Sequence, residues 1–281
     1  MDAAEKQRLI DDHVMRARVG YADLWRAMVD NWRADGGDAL WLTYAANYLL
    51  RTGGVRWAID PYCLAYRLEG IPHLPVGTDL AACQVVVLTH THRDHFDQPT
   101  LQVIKDIPAI WVVPEFMLER VQASLNLPAG RVVVPQPGIS LRFDGLTLTP
   151  FDGLHLTPGH GVPAMGYLAE FSGKRWLFPG DTRIYDPQQL PSFGRLDGGL
   201  AHLWLGRGAA LQASPPLLQA FCEFWTALAP GRLVLTHLHE LERKPSDYWD
   251  ESHADLVIQQ LSLIQPEMNV EVSKMGDQVN L

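Results

Sequence analysis

Apolar residues recur at spacings of three and four through Ile10, Val14, Ala17, Tyr21, Leu24, Met28 and Trp32. That period fits an α-helix with one apolar face and predicts a helix over 4–33 docked on a core. Asp35-Gly36-Gly37 follows as its stop, because glycine accepts the left-handed position after a last turn. Beyond it the texture becomes that of strands. Residues 39–50 and 55–59 read as strands around the turn Thr52-Gly53-Gly54, and Val85–Thr89 is a short β-branched run of the kind buried on both faces. Ala109–Val113 and Arg131–Val134 repeat that pattern, with a helix over Glu115–Leu125 between them. Further strands are predicted at Leu146–Thr149, Gly166–Phe171, Arg175–Phe178 and Arg232–Thr236, and helices at Pro215–Leu228 and Ser252–Leu263. Strands and helices alternate along the chain, which places it in the α/β class.

Composition narrows the picture. With 47% apolar and 20% charged residues among 281, the chain has enough apolar surface to build a sizeable core, which excludes a disordered or fibrous protein. No run of 18 apolar residues is present to span a membrane. The opening MDAAEKQRLIDD lacks the apolar stretch of a secretory signal. Lys and Arg number 23 against 32 Asp and Glu, a net charge of −9 that disfavours a nucleic-acid partner. The three cysteines, Cys63, Cys83 and Cys222, are odd in number and widely spaced. They argue against a disulfide framework and fit reduced thiols in a cytoplasmic protein.

The eleven histidines carry more information because several cluster. The strand Val85–Thr89 runs directly into His90-Thr91-His92-Arg93-Asp94-His95-Phe96-Asp97, five potential metal ligands in eight residues at a strand end. Imidazole and carboxylate are the donors that hold zinc and similar divalent ions. In an extended segment His90 and His92 fall on one side, and the following turn swings Asp94 and His95 to a second position, so one loop can feed two adjacent metals.

His-x-His-x-Asp-His resembles the signature of the metallo-β-lactamase superfamily. The resemblance implies a four-layer αβ/βα sandwich, here with an extra N-terminal helix, and a dinuclear metal site. It also implies a division into a helical extension, 1–37, and a metallo-β-lactamase domain, 38–281. Trp176-Leu177-Phe178-Pro179-Gly180-Asp181-Thr182 looks like the family's strand ending in the aspartate that bridges both metals. For the third histidine two candidates stand: His160 in Thr157-Pro158-Gly159-His160, similar to the glyoxalase II branch and the first choice, and His155, placed as in the lactonase-like branch. His237, after the strand Arg232–Thr236, is the expected last ligand, with His239 as the lesser alternative. Ile59-Asp60-Pro61 also resembles the lactonase-like branch and implies that Asp60 orients the metal loop by hydrogen bonds. Ala46-Asn47-Tyr48 stands where many members of that branch carry a histidine.

The expected arrangement is therefore His90, His92 and His160 or His155 on one metal, and Asp94, His95 and His237 on the other, with Asp181 between. Two zinc ions per chain are the first expectation, with manganese or iron as alternatives. The implied chemistry is hydrolysis by a metal-bound hydroxide, with Asp94 and Asp181 as the catalytic carboxylates, on a small-molecule lactone, ester, thioester or phosphodiester. Only 55 residues separate Asp181 from His237, too few for the extra domain of the RNA-processing branch. No flavodoxin-like domain follows, as the flavodiiron oxygen reductases would need. Arg183, Tyr185, His202, Trp204 and Arg207 are candidates for a pocket wall, where an arginine suits an anionic group. The competing expectation, from a different class, is a non-catalytic metal-binding or accessory module on the same fold.

Overall fold

A computed structural model describes residues 1–281. Fourteen strands form two seven-stranded sheets. The first contains β1 (Ala39–Leu42), β2 (Tyr48–Thr52), β3 (Val55–Ile59), β4 (Val85–Val87), β5 (Ile110–Val112), β6 (Val132–Val133) and the C-terminal β14 (Gln278–Asn280), in the order β14-β1-β2-β3-β4-β5-β6. The second contains β7 (Leu141–Phe143), β8 (Leu146–Asp152), β9 (Met165–Phe171), β10 (Lys174–Phe178), β11 (Gly198–His202), β12 (Arg232–Thr236) and β13 (Asn269–Val272), in the order β13-β12-β11-β10-β9-β8-β7. Helices α1 (Ala3–Arg33), α2 (Val76–Asp79), α3 (Gln98–Ile104) and α4 (Leu118–Leu125) accompany the first sheet, and α5 (Leu218–Leu228) and α6 (Glu251–Ile264) the second. None of the helices is long and apolar enough to cross a membrane.

Side-chain alternation builds the layers. Val85 and Val87 of β4 face the second sheet, in a core with Tyr48, Trp57, Tyr167, Phe178 and Val234, while Val86 points outward to the helices. On the other sheet Val234 faces inward, and Leu233 and Leu235 pack on α5 and α6 with Phe221 and Trp225. Helix, sheet, sheet and helix layers thus enclose three cores, the expected four-layer sandwich. At one end the two sheets touch through turns: a Cβ on Gly53 would lie 1.9 Å from the Gly145 carbonyl oxygen, and one on Gly145 equally near that of Gly53. Both have positive φ, so only glycine permits this approach.

Helix α1 is an integral part of the first core. Tyr21, Trp25, Met28 and Trp32 are buried against the sheet, and Asp2 and Glu5 form a capping box at its start. Its end differs from the expected glycine stop. Ala34 terminates it in an extended conformation, and the orphan carbonyls are taken by two arginines of the sheet. Arg51 donates to the carbonyls of Asn31 (2.8 Å) and Ala34 (2.5 Å), and Arg56 to those of Trp32 (3.1 Å) and Arg33 (2.6 Å). The other end is locked by Lys6, whose ammonium lies 2.5 Å from the Asp250 carboxylate with side-chain exposures of 1% and 3%. Asp250 also caps α6 and pairs with His253 at 2.8 Å. Burial alone would raise its carboxyl, but His253, Lys6 and Ser252 outweigh that and hold it below the usual range. Lys6→Ala leaves that carboxylate buried without its cation and is expected to cost about 3–5 kcal/mol. Urea unfolding measures it; a loss below about 1 kcal/mol would show that water takes the place of the ammonium.

Candidate metal centre

Strand ends from both sheets meet at one end of the sandwich. Asp60 follows β3, the segment 88–95 follows β4, His155 lies three residues past β8, Asp181 follows β10, His202 ends β11 and His237 follows β12. Parallel pairing sets β11 and β12 in register, with His202 opposite Thr236, so adjacent strands deliver their terminal side chains to one place. His237 and Asp60 both hold left-handed backbone, φ 65° and 45°. Strain of this kind costs on the order of 1–3 kcal/mol and persists where the surroundings over-determine it. The His237 amide donates to the Ala45 carbonyl (2.7 Å).

Two four-donor groups result, beside a three-donor group of Asp60, His90 and His95. His90, His92, His155 and Asp181 form one, and Asp94, His95, Asp181 and His237 the other, the ligand atoms in each lying within 4.8 Å of one another. In the first, the Nδ1 of His92 lies 3.2 Å from His90 Nε2 and 3.1 Å from His155 Nε2. Nitrogens at about 2.0–2.1 Å from a tetrahedral cation are about 3.3–3.4 Å apart, so three imidazoles converging at this spacing match the edges of such a site. In the second, Asp181 Oδ1 is 3.2 Å from His95 Nε2 and 3.6 Å from His237 Nδ1, and Asp94 Oδ2 is 3.3 Å from His237 Nε2. His95 Nε2 and His237 Nδ1 are buried without a hydrogen-bond partner. Unpaired buried nitrogens are expensive, and a cation in the cage would occupy them.

The next layer orients these donors. Asp60 accepts from the Thr89 amide (2.8 Å) and the Thr89 hydroxyl and pairs with His95 Nδ1 (2.7 Å), which turns His95 Nε2 into the cage. Asn47 donates to the carbonyls of Asp60 (2.7 Å) and Asp94 (2.8 Å), clamping the two loops together. His202 Nδ1 is 2.9 Å from Asp181 Oδ1, and its Nε2 is 2.8 Å from the Tyr48 hydroxyl, itself 2.8 Å from Thr236 Oγ1.

Electrostatics separate the two groups. Burial lowers the pKa of His90, His92 and His155, the last to about 4, and keeps these imidazoles neutral with lone pairs available. Burial would do the same to His95 and His237, but the Asp181 and Asp94 carboxylates outweigh it and raise both, His237 to about 9. Burial would raise Asp94 and Asp181 in turn, and the His95 and His237 imidazoles hold both below the usual range. His95 and His237 thus face the Asp181 and Asp94 carboxylates, with Arg243 a further 3.7 Å neighbour of Asp94.

Of the eight ligand candidates, the structure brings together His90, His92, Asp94, His95, His155, Asp181 and His237. It does not bring in His160, the first choice for the third histidine. That residue closes an exposed turn with Thr157 (2.8 and 3.0 Å backbone bonds), and its Nδ1 is 3.3 Å from Arg207. The physical reason is chain length: β8 runs on to Asp152, beyond the expected Thr149, so His155 is the histidine that emerges beside the cage. His239 turns away to the Tyr248 hydroxyl (3.1 Å) and Glu251 (2.9 Å). Arg93 pairs with Glu242 at 3.1 Å on the surface. His202, expected only as pocket wall, is instead bonded to Asp181. The sequence offers one signal for it, the short apolar run Leu200-Ala201 ending in a histidine, as Leu235-Thr236 ends at His237.

The cage opens into a cavity of about 280 Å³ bounded by His92 and His237 at its base and by Arg183, Arg207, Trp204 and Trp249 on its walls.

Two sheets sandwiched between helices, with a histidine–carboxylate cage at the strand ends, define the metallo-β-lactamase fold. The beta-lactamase superfamily domain matches residues 59–238, and the chain belongs to that superfamily. Helix α1 lies outside the matched region. No curated protein matches the chain. Among solved structures it is similar to Igni18, a metallo hydrolase from the archaeon Ignicoccus hospitalis, at 18% identity and a TM-score of 0.62 over 86% of this chain and 97% of that one. It is similar to an isothiocyanate hydrolase from Delia radicum gut bacteria, at 20% identity and a TM-score of 0.62 over 86% and 98%. A third similar structure is CmlA, a diiron beta-hydroxylase from Streptomyces venezuelae, at 16% identity and a TM-score of 0.64 over 88% of this chain and 55% of that one. At these identities the likeness is one of fold.

Proposed function

We propose that this protein is a metal-dependent hydrolase with two cations per chain, acting on a small-molecule ester, thioester, lactone or phosphodiester. The observation that carries the reading is the pair of four-donor groups sharing Asp181. His90, His92 and His155 would hold one cation and Asp94, His95 and His237 the other, with Asp181 reaching both. A bound cation pair of this kind supplies a nucleophile from water near neutral pH and positive charge for a developing oxyanion.

The chain's own groups prepare that chemistry. Asp94 remains ionised beside His95 and His237, so it would be able to accept a hydrogen bond from the attacking group and steer it. Asp60 fixes the tautomer and ring plane of His95. His202 and Tyr48 keep the Asp181 carboxylate from rotating between its two groups of donors. The nitrogen-rich donors favour zinc, and elemental analysis separates zinc from manganese and iron. The cavity suits a small molecule, and the net charge of −9 disfavours nucleic acid as partner.

Elemental analysis combined with a panel of lactones, thioesters, esters and phosphodiesters tests the proposal. About two ions per chain with turnover of one class supports it. A folded, metal-free and inert protein supports the accessory module instead. The assignment of the third histidine separates cleanly. His155→Ala is expected to lose about one metal per chain and to slow turnover at least on the order of 100-fold, while His160→Ala keeps its full metal content. The opposite pattern in the metal assay would place His160 in the cage.

A further inference from the structure

Five arginines lie near the mouth of the cage or along the adjacent loops, and they differ in what neutralises them. Arg243 is held by Glu240 at 2.5 Å, Arg93 by Glu242 at 3.1 Å, and Arg120 stacks on Phe96 while donating to the Thr91 carbonyl. Arg183 and Arg207 have no carboxylate within 4.0 Å, although the chain carries 32 acidic residues against 23 basic ones. Both line the cavity beside His92 and His237, where Glu240 is taken by Arg243 and Asp247 accepts from the Gly208 amide. Arg183 is half-buried, its guanidinium 5.3 Å from the centre of the Trp204 ring, and Trp204 is held in turn by the Tyr185 hydroxyl donating to its carbonyl at 2.5 Å. Arg207, exposed on the neighbouring loop after β11, lies 3.3 Å from His160 Nδ1. An anion in this cavity would give both guanidinium groups the partner they lack.

We propose that Arg183 and Arg207 form the subsite for an anionic group of the substrate, a carboxylate or phosphate carried apart from the bond that is cleaved. The proposal rests on the hydrolase reading above and narrows it to substrates with such a group. Planar guanidinium forks match both oxygens of a carboxylate, which a lysine cannot do. Trp204 and Trp249 supply apolar walls for the carbon skeleton between the charged group and the cage. A cavity of about 280 Å³ suits a small carbon skeleton.

The probes are glutarate, with a carboxylate at each end, and glutaramate, in which one carboxylate is replaced by a neutral amide. Calorimetry on the metal-loaded protein is expected to show glutarate binding at least about tenfold tighter than glutaramate. In Arg183→Ala/Arg207→Ala the preference is expected to fall below about threefold, and in Arg183→Lys/Arg207→Lys to be intermediate, because the charge stays and the fork is lost. A preference unchanged in the double alanine variant would assign the second carboxylate to the metals and overturn the subsite. Equal or unsaturable binding of both probes by the parent protein would overturn it as well. The underlying reading is judged separately, by metal content and by hydrolysis of the whole panel of lactones, thioesters, esters and phosphodiesters, members with an anionic group included, in the parent protein. Failure there with the glutarate preference intact removes the hydrolase and leaves the anion site.

Discussion

Asp181→Ala is expected to lower kcat/KM by at least about a thousandfold, the equivalent of about 4 kcal/mol in the barrier, and to weaken binding at both metal positions. The size follows from position. Asp181 is the one residue common to both four-donor groups, with Oδ1 3.2 Å from His95 Nε2 and Oδ2 3.8 Å from His90 Nε2. Removing it takes a charged donor from each cation and leaves His202 Nδ1 without its 2.9 Å partner. Steady-state kinetics on the best substrate of the panel, with metal content measured on the same sample, provides the check. Asp181→Asn keeps the shape and loses the charge, and it is expected to behave nearly as poorly. Turnover equal to the parent would mean that the bridging role belongs elsewhere.

Stripping the metals is the second large effect. A cation that binds the folded cage and not the unfolded chain, present at a thousand times its Kd, would add about 4 kcal/mol, and removing it should lower Tm by roughly 10 °C. The pH dependence of the stripped protein follows from His95 and His237. Both have folded-state pKa values raised above the ordinary imidazole value, His237 to about 9. A raised imidazole contributes stability that is fully present below about pH 6.5 and is lost as pH rises through the folded value. The metal-free protein should therefore lose stability between about pH 7 and 9, while the loaded protein, whose imidazoles carry no such proton, should not. Loading at pH 7 must also release those protons, about two per chain. Calorimetric titrations in buffers of different ionisation enthalpy count them. A proton count near zero would show that His95 and His237 are already neutral in the metal-free cage.

Much of this architecture was readable from residue order because local signals coincided with the final burial. The stripe from Ile10 to Trp32 predicts α1 within a residue of its observed end, and the run at 85–89 leads into the metal loop as observed. Other parts depend on contacts distant in sequence. The apolar stretch 39–50 divides into β1 and β2 because Thr43 and Asn47 close a turn, with the Thr43 amide donating to the Asn47 carbonyl at 2.8 Å. Strand β11 begins with Gly198-Gly199, which reads locally as a turn. Those glycines are there because the Trp176 and Trp225 rings lie against them, 2.5 and 2.7 Å from where a Cβ would stand. With β11 invisible, its terminal His202 was invisible as a partner of Asp181. The choice between His155 and His160 turned on where β8 ends, and Pro150 within that strand hides its continuation to Asp152. The role of Arg51 and Arg56 at the end of α1 likewise has no local signature.

In the proposed centre one carboxylate joins two cation sites at the ends of the strands. Anomalous diffraction from crystals of the metal-loaded protein addresses it directly. Two peaks per chain are expected to flank the Asp181 carboxylate, one among His90, His92 and His155 and the other among Asp94, His95 and His237. A single peak that Asp181 does not touch, or none within the cage under saturating metal, would contradict it.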